Sequence, residues 1–551
     1  MEKRILLAIV LSFLVLVLYQ AIFVKKPQPQ ETPPEIPSPA ETRPKKEVSP
    51  QPPPPEPSPE TELPAEKKME KPLSEESEQH ILIETSLYQA VWNNKGAVLE
   101  NWRLKKHKDD EGENLELVSR RSQEIDRYPF CLKTEDSAFD RTINNALYQF
   151  SDRKLELWDG QKGELRFQYA DGEGTRVEKV FIFQDGKYTF DVKINVWKNN
   201  QRIDHQLLWG PSLRNPTPEE KERRFGADSG VAVLAGSKIY RQKEIKYKPE
   251  ESVFHFVTWA AYEDNYFTAL FLTSTQKSTA FFLKEESEQA PSFFLALTHP
   301  QKAFLGPKDY DALEEFAPKA KDLIKFGFFG WIAQILLKAI KFVHSFIPNW
   351  GFSIIILTLI IKILFFPLTY SSTRSMAKMQ ELQPKIKALR AKYKKAKKDI
   401  AQRRKMNEEM MKLYKEHGIN PAGGCLPMLI QIPIFWGFFR LLVVSIEFRH
   451  SPFILWINDL SLKDPYYVTP ILMGISQYIS QKLTPTSADP TQQKMMLIMP
   501  VIMVIFFMNF QSGLVLYWLT NNILQIGQQV IMNRLMKKKK RESHGSKKRR
   551  K

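Results

Sequence analysis

A lysine interrupts one of the most apolar stretches of this 551-residue chain. Lys362 lies in the run SIIILTLIIKILFFPLTYSS, about twelve residues from both Trp350 and Arg374, so a straight helix would place it near the middle of a membrane. A charge at that depth costs at least ~2.5 kcal/mol unless a polar group or water solvates it. Thr358 and Thr369 lie one turn before and two turns after Lys362 on the same helical face. The pattern predicts a cation with polar neighbours inside an apolar helix.

Other apolar segments carry polar side chains that would suit the same cavity. Tyr517, Asn521, Gln525 and Gln528 recur every three or four residues in the last such segment, and Gln431 lies in an earlier one. We expect these groups to line a wet, concave cavity with a positive charge at its floor. The candidate site residues are Lys362, Thr358, Tyr517, Gln431, Asn521 and Gln525.

The sequence offers little covalent or metal chemistry. Its two cysteines, Cys131 and Cys425, form no C-x-x-C pair, and neither a nucleophile motif nor a convergent acid and base is visible. We therefore expect no catalytic residue, no metal and no cofactor, and a function other than that of an enzyme.

The elements that must position the cavity are apolar helices. The uncharged run 5–24 is long enough to span a bilayer and is expected to be an uncleaved anchor. An apolar stripe over 331–346 predicts an amphipathic helix that lies in the membrane interface. Five further segments predict a core of transmembrane helices, which makes six spans in all: 350–370, 425–446, 466–482, 495–510 and 513–532.

Charge predicts how these spans are oriented. The chain has 80 Lys and Arg residues against 62 Asp and Glu; 372–418 holds fifteen bases and five acids, and 534–551 holds eleven bases and one acid. Because basic segments stay in the cytoplasm, both should lie inside and 447–465 outside. Both chain ends are then cytoplasmic, and the large region between the first two spans lies outside the cytoplasm.

The region outside the cytoplasm divides into two parts. Residues 27–80, dense in Pro, Glu, Ser and Lys, are expected to form a disordered tether. Residues 81–316 predict a large antiparallel β-sandwich, because apolar and polar residues alternate within short runs that Asp-Gly turns separate. A sugar-binding or enzymatic sandwich is one alternative function, although its aromatic residues fit a core better.

The rest of the chain divides by charge and periodicity. The expected parts are 1–26 for the anchor, 317–348 for the interfacial helix, 349–533 for a five-helix core with a cytoplasmic helical hairpin at 372–418, and 534–551 for a basic tail. Gly418 is the expected C-cap of the hairpin. The tail should stay disordered until it meets a polyanion, and charge leaves both anionic lipid and ribosomal RNA open as partners.

Several long motifs between residues 349 and 532 resemble one known family. The motifs are NWGFSIII, FFPLT, SMAKMQELQPKIKALR, NPAGGCLPMLIQIPIFWGFF, DPYYVTPILMG and SGLVLYWLTNN. They are similar to those of the YidC/Oxa/Alb superfamily of membrane-protein insertases, and the anchor, tether and sandwich match the layout of its Gram-negative members. The resemblance implies a protein of the bacterial inner membrane that inserts and folds membrane proteins, alone or beside the Sec channel, without nucleotide hydrolysis. It also implies nascent membrane proteins and the Sec translocon as partners. The charge of the hairpin at 372–418 and of the tail at 534–551 predicts the translating ribosome and anionic lipids as their partners.

The resemblance assigns roles to particular residues. In the family, a central cation faces a hydrophilic groove that is open to cytoplasm and lipid; this cation is usually Arg and here is Lys362, which keeps the charge but lacks the planar two-pronged donor. Thr358 and Tyr517 fall where the groove contacts incoming segments. Arg440 stands where relatives have an uncharged residue, so we expect it to extend to the outer interface, with pairing to Glu447 left open.

A secondary transporter or channel that uses Lys362 is the main alternative function. That class often has inverted repeats and interrupted helices. No internal repeat is evident, although Pro427 and Pro433 could interrupt one helix.

Overall fold

A computed structural model describes residues 72–216, 229–275, 277–286, 290–393, 399–418, 426–484 and 490–548. The expected anchor at 1–26, the tether up to residue 71, Cys425 and residues 549–551 lie outside this part of the chain.

The N-terminal half of the described chain is a β-sandwich with two short helices. The helices are α1 (Arg120–Glu124) and α2 (Ser137–Asn145). The strands are β1 (His80–Glu84), β2 (Tyr88–Asn93), β3 (Val98–Lys108), β4 (Asn114–Glu116), β5 (Leu132–Lys133), β6 (Gln149–Phe150), β7 (Lys154–Glu156), β8 (Lys162–Ala170), β9 (Arg176–Gln184), β10 (Thr189–Lys198), β11 (Gln201–Arg202), β12 (Gln206–Trp209), β13 (Gly230–Ala235), β14 (Lys238–Lys243), β15 (Val253–His255), β16 (Val257–Glu263), β17 (Phe267–Thr273), β18 (Thr279–Glu285), β19 (Ser292–Thr298) and β20 (Pro300–Pro307).

These strands form three sheets around one apolar core. The strand orders are β4-β3-β2-β1-β7, β14-β13-β16-β17-β20-β10-β9-β8-β6 with β11 beside β10, and β15-β18-β19-β12-β5. Neighbouring strands are antiparallel except β1 and β7, which are parallel. The predicted sandwich is therefore confirmed, with one parallel pair that its turn spacing did not indicate.

The predicted alternation is visible in burial. Along β10, Phe190, Val192 and Ile194 are buried, whereas Lys193 between them is exposed. Gly160 and Gly186, in two of the Asp-Gly turns, have φ of 77° and 76°, which glycine adopts without strain.

Eight residues that were assigned to the tether, 73–80, belong to the sandwich. Leu73 exchanges backbone hydrogen bonds of 2.9 Å with Ala170, and Glu75 N–H donates to the Leu147 carbonyl at 3.1 Å. The chain thus joins the sandwich from Leu73 onward, because Ala170 at the end of β8 offers unpaired backbone groups there.

The C-terminal half is helical. Its helices are α3 (Tyr310–Phe316), α4 (Gly330–Phe346), α5 (Trp350–Leu364), α6 (Phe366–Glu381), α7 (Gln383–Lys392), α8 (Ile400–Glu416), α9 (Leu426–Val444), α10 (Val468–Leu483), α11 (Pro490–Phe507) and α12 (Ser512–Lys548).

Two predicted helix boundaries are wrong. The segment expected as one helix over 350–370 is divided at Phe365, because Pro367 in the first turn of α6 has no backbone N–H to donate. Lys362 therefore lies near the end of α5 and not in the middle of a continuous helix. Helix α12 runs on to Lys548, so the backbone of the tail is helical over 534–548 and not disordered, as the high helix propensity of Lys and Arg allows.

No individual helix within the described ranges meets the length and hydropathy expected of a membrane span. Helices α4 and α5 meet these criteria together, with a bend of 118° between them.

The predicted pairing of helices at 372–418 has a small apolar core. Leu382 and Ile386 are buried against Met410 and Leu413 of α8. Gly418 follows α8 with φ of 61°, as its predicted C-cap role requires.

Charged side chains join the sandwich to the helices. Lys341 of α4 holds its Nζ 3.0 Å from Asp309 Oδ2, 2.8 Å from Asp311 Oδ2 and 3.1 Å from Glu447 Oε1. The two aspartates flank the start of α3, and Glu447 follows α9. One ammonium group therefore links three separate elements.

A second charged cluster lies where β16 ends. The buried carboxylate of Glu263 pairs with buried Lys308, with Lys325 Nζ at 2.7 Å and with Arg241 Nε at 3.5 Å. Burial alone disfavours the charged carboxylate, but the three cations outweigh it and lower the pKa of Glu263 to about 2.

We expect Glu263→Gln to lower the free energy of unfolding at pH 7 by about 3 kcal/mol, because Lys308 then remains buried without its counter-charge. The folded-state pKa lies below the ordinary 4.5, so this stabilisation is present above pH 4.5 and is lost as the pH falls toward 2. Thermal unfolding of the full chain in detergent between pH 7 and pH 2.5 measures both effects. Glu285→Gln, which removes a partly exposed partner of Arg127, is the matched control and should change the free energy of unfolding little. An equal loss of stability in both variants would contradict the stabilising role of the Glu263 cluster.

Candidate functional site

Lys362 is held by a side chain from the last helix. Its Nζ donates a hydrogen bond of 2.9 Å to Gln525 Oε1, and both side chains are partly buried. Helices α5 and α12 pack along each other, which brings the two residues together. The structure therefore supplies the polar partner that an ammonium group between apolar helices requires.

A second polar pair joins α9 to α12. Gln431 Nε2 donates to the Tyr517 hydroxyl at 2.6 Å, and Tyr517 is only 2% exposed. The Tyr517 ring stacks on Phe438, with ring centroids 4.3 Å apart. The hydroxyl is thus the polar end of a side chain that otherwise packs in the apolar core.

The threonines of the predicted stripe bond to their own helix. Thr358, 1% exposed, donates from Oγ1 to the Ile354 carbonyl at 2.6 Å, and Thr369 donates to the Phe365 carbonyl at 3.0 Å. Such bonds satisfy a hydroxyl inside an apolar helix without a partner from elsewhere. Thr358 shares the face of Lys362 but, among the described contacts, makes no hydrogen bond to it.

Asn521 was predicted, but its neighbour Asn522 makes the helix contact. Asn522 is 4% exposed and donates from Nδ2 to the Met473 carbonyl at 3.3 Å and to Ser476 Oγ at 3.2 Å, which joins α12 to α10. Asn521 is partly exposed and forms no side-chain hydrogen bond to any described residue. Ser476, a polar residue inside another apolar segment, was the sequence signal for this second contact.

Arg440 has a different partner from those predicted. Its Nη2 donates to the Lys325 carbonyl in the loop between α3 and α4, and no ion pair with Glu447 occurs in the described structure. Glu447 pairs with Lys341 instead. Arg440 is therefore held by backbone from the sandwich side, because Gly327 brings that loop close to its guanidinium.

The NWG motif fixes the start of α5. Asn349 Oδ1 accepts from the Phe352 N–H at 3.1 Å as the N-cap, while its Nδ2 donates to the Phe453 carbonyl at 3.1 Å. A Cβ on Gly351 would lie 2.0 Å from the Phe453 ring, so only glycine lets the loop between α9 and α10 pack here.

The same loop is organised by one carboxylate. Asp464 accepts from Trp456 Nε1 at 3.0 Å and from the backbone and hydroxyl of Thr469, each at 2.7 Å. Ser512, at the start of α12, donates its backbone N–H to the Leu462 carbonyl at 2.6 Å. These bonds close the sandwich-facing end of the helical region above the two polar pairs.

Glycines also set the helix crossings. A Cβ on Gly437 of α9 would lie 2.8 Å from Ile332 of α4, and one on Gly474 of α10 would lie 2.1 Å from Val504 of α11.

No group of His, Cys, Asp and Glu side chains that could hold a metal occurs in the described part of the chain.

Comparison with known families matches both halves of the chain. Residues 80–339 match the family model described as the YidC periplasmic domain, and residues 342–540 match the model described as a 60Kd inner membrane protein. A curated protein named membrane protein insertase YidC, from Syntrophus aciditrophicus, is 39% identical over 97% of this chain and 100% of its own length. The chain belongs to the YidC family.

Other YidC proteins agree with this assignment. A relative of the same name from Geobacter sulfurreducens is 37% identical over 97% of this chain and 98% of its own length. A crystal structure described as an active YidC insertase with its first transmembrane domain resolved covers 83% of this chain and 94% of the other, at 21% identity and a TM-score of 0.34. From the two family models and the curated relatives, the chain is an inner-membrane protein of the YidC family with a periplasmic β-sandwich and a helical C-terminal region.

We expect Gln525→Leu to destabilise this YidC-family chain by about 1–3 kcal/mol, because Lys362 then loses the acceptor that solvates it. Asn521→Leu, four residues earlier on the same helix, should have a smaller effect because it breaks no described hydrogen bond. Thermal unfolding in the same detergent measures both, and equal losses would show that the Lys362–Gln525 bond contributes little.

Proposed function

We propose that this chain inserts and folds membrane proteins by means of a polar groove whose central cation is Lys362. The names of its relatives, which match along nearly its whole length, support insertion as the activity. The observation that carries the groove is the Lys362–Gln525 hydrogen bond between two otherwise apolar helices.

The proposed mechanism is physical and involves no covalent step. A polar cavity shortens the low-dielectric path that a translocated loop must cross, and Lys362 attracts its acidic residues. Apolar residues of the client then slide along the helices into lipid, where each buried CH₂ group gains about 0.8 kcal/mol. Nucleotide hydrolysis and a cofactor have no part in this scheme.

The helical region is closed at the end that faces the sandwich. This supports entry of client segments from the opposite end. The loop between α9 and α10 contacts the sandwich, since Arg449 Nη1 donates to the Lys108 carbonyl at 2.7 Å. This agrees with 447–465 on the periplasmic side, and we infer that the groove opens toward the cytoplasm, where both chain ends lie.

The basic helices α7 and α8 are the proposed cytoplasmic docking element. A cavity of about 450 Å³ between them is lined by Lys385, Lys392 and Lys412, by Glu409 and Glu416, and by apolar side chains that include Leu389 and Leu413. Lys392 Nζ lies 3.0 Å from Glu409 Oε1, so the attraction for a polyanion rests on the excess of bases over acids across 372–418, fifteen against five. We propose ribosomal RNA and anionic lipid headgroups as its ligands, and the Sec translocon as a partner of the membrane-embedded helices.

Reconstitution separates insertion from solute transport. Purified protein in liposomes is given either a short single-span client or a panel of radiolabelled solutes. Protease protection of the client, without solute uptake, supports the proposal; uptake without client insertion would favour a transporter or channel that uses Lys362.

In this assay we expect Lys362→Arg to retain insertion, because it keeps the charge. Lys362→Ala should lower insertion severalfold, most of all for clients with acidic translocated tails, because about 1–3 kcal/mol of attraction is lost. A neutral-tailed client is the matched control. A Lys362→Glu variant that inserts acidic-tailed clients as well as the parent would contradict the electrostatic role.

We expect the basic tail to help recruit translating ribosomes. Eleven bases among eighteen residues at 534–551 favour phosphate-rich partners. Ribosome co-sedimentation of the full chain and of a chain ending at residue 533, in neutral-lipid nanodiscs at one ionic strength, measures the contribution. The truncated chain should bind several times less; equal binding would leave the tail as an anchor on anionic lipid.

A further inference from the structure

The loop between α9 and α10 ends in an uncharged, apolar tip at residues 452–456. Ile454 is 45% exposed and Leu455 is 79% exposed. The base of the loop touches the sandwich, where His450 Nε2 lies 3.3 Å from Asp110 Oδ1. The tip therefore projects at the periplasmic end of the helices.

The tip is held rigidly in a conformation that leucine rarely adopts. Leu455 has φ of 53°, in the left-handed region that disfavours a branched side chain. Around it, Phe453 N–H donates to the Ile457 carbonyl at 2.9 Å, and Leu460 N–H donates to the Ser451 carbonyl at 2.9 Å. A strained, solvent-facing leucine persists only where the surroundings impose it, which marks the tip as a candidate functional feature.

The tip is continuous with the apolar surface of α5. The Phe453 ring packs edge-on against Phe352, with ring centroids 5.3 Å apart, and Phe352 is itself 42% exposed. Farther along the same helix, Ile360 is 49% exposed and Ile363 is 64% exposed. In an inner-membrane protein, such exposed apolar side chains are covered by lipid, and Phe352 contacts the tip through Phe453.

Helix α4 borders the same surface. Phe342 and Phe346 are 67% and 71% exposed, with ring centroids 5.1 Å apart, at the end of α4 that leads into Asn349. Leu336 and Ile340 of the predicted apolar stripe are buried against protein, whereas Ile335 of the same stripe is 59% exposed. The exposed aromatic residues are thus left to face the bilayer interface.

We propose that the tip inserts into the outer leaflet, with Ile454 and Leu455 among the upper acyl chains beside the start of α5. Lipid is the occupant that fits, because residues 451–457 carry no charge to pair with a protein partner and the tip continues a lipid-covered surface. A wedge at this place loosens lipid packing next to the helices that hold Lys362. The inference depends on membrane embedding and not on the proposed insertion mechanism.

Depth-dependent fluorescence quenching tests the insertion. Leu455→Cys, in a chain that also carries Cys131→Ser and Cys425→Ser, is labelled with an environment-sensitive fluorophore and placed in nanodiscs. We expect blue-shifted emission that loses about half its intensity with lipids brominated near the headgroup, less with lipids brominated deep in the chain, and little with aqueous iodide. The same label at Val253, 47% exposed on the sandwich, should respond to iodide only.

A second variant tests the support of the tip. Gly351→Val places a side chain where the Phe453 ring lies, and should reduce bromolipid quenching at position 455. Gly527→Ala, which meets no atom within 4 Å, is the matched control and should leave quenching unchanged. Iodide quenching at position 455 as strong as at Val253 would overturn the proposal and favour a protein partner or open solvent at the tip; this outcome would not affect the insertion activity measured with Lys362 variants.

Discussion

An ammonium group among apolar helices has to be solvated, and in this chain the side-chain carbonyl of Gln525 does so. That requirement determines how α5 and α12 lie against each other, because a shift of one helical turn along either axis would separate the two groups. It also keeps a pair of polar side chains between two otherwise apolar helices. The other polar pair, Gln431 with Tyr517, repeats the arrangement between α9 and α12.

Close packing among the helices depends on glycines, which have no side chain. Gly437 and Gly474 let α9 meet α4 and α10 meet α11 at distances that a Cβ would prevent. Gly351 does the same for the loop that closes the periplasmic end. The helices are therefore held by close fit at a few contact points, while many apolar side chains on their outer faces stay exposed, among them Ile360 and Ile363.

The alternation along β10 and the Asp-Gly turns were enough to predict the sandwich, because period-2 burial and turn chemistry are local properties of a sequence. The spacing of polar residues also singled out Lys362, Gln525, Gln431 and Tyr517, which form two hydrogen-bonded pairs in the structure, while their role as a site stays a prediction. The partners themselves could not be predicted, since Asn521 and Asn522 differ by only about 100° around a helix and tertiary packing decides which faces α10. Likewise, the contact of Arg440 with a loop carbonyl more than one hundred residues earlier leaves no local signal.

The two family matches meet near residue 340, inside α4. The packing of the described chain shows no separation into two parts at this point. Leu336 and Ile340 of this helix belong to one apolar cluster with Trp259 and Phe304 of the sandwich and with Phe438 of α9. Lys341 of α4 also pairs with Asp309 at the start of α3 and with Glu447 after α9. The periplasmic and helical parts should therefore unfold as a single cooperative unit, and a cut at that boundary would expose on each fragment the surface that the other fragment covers.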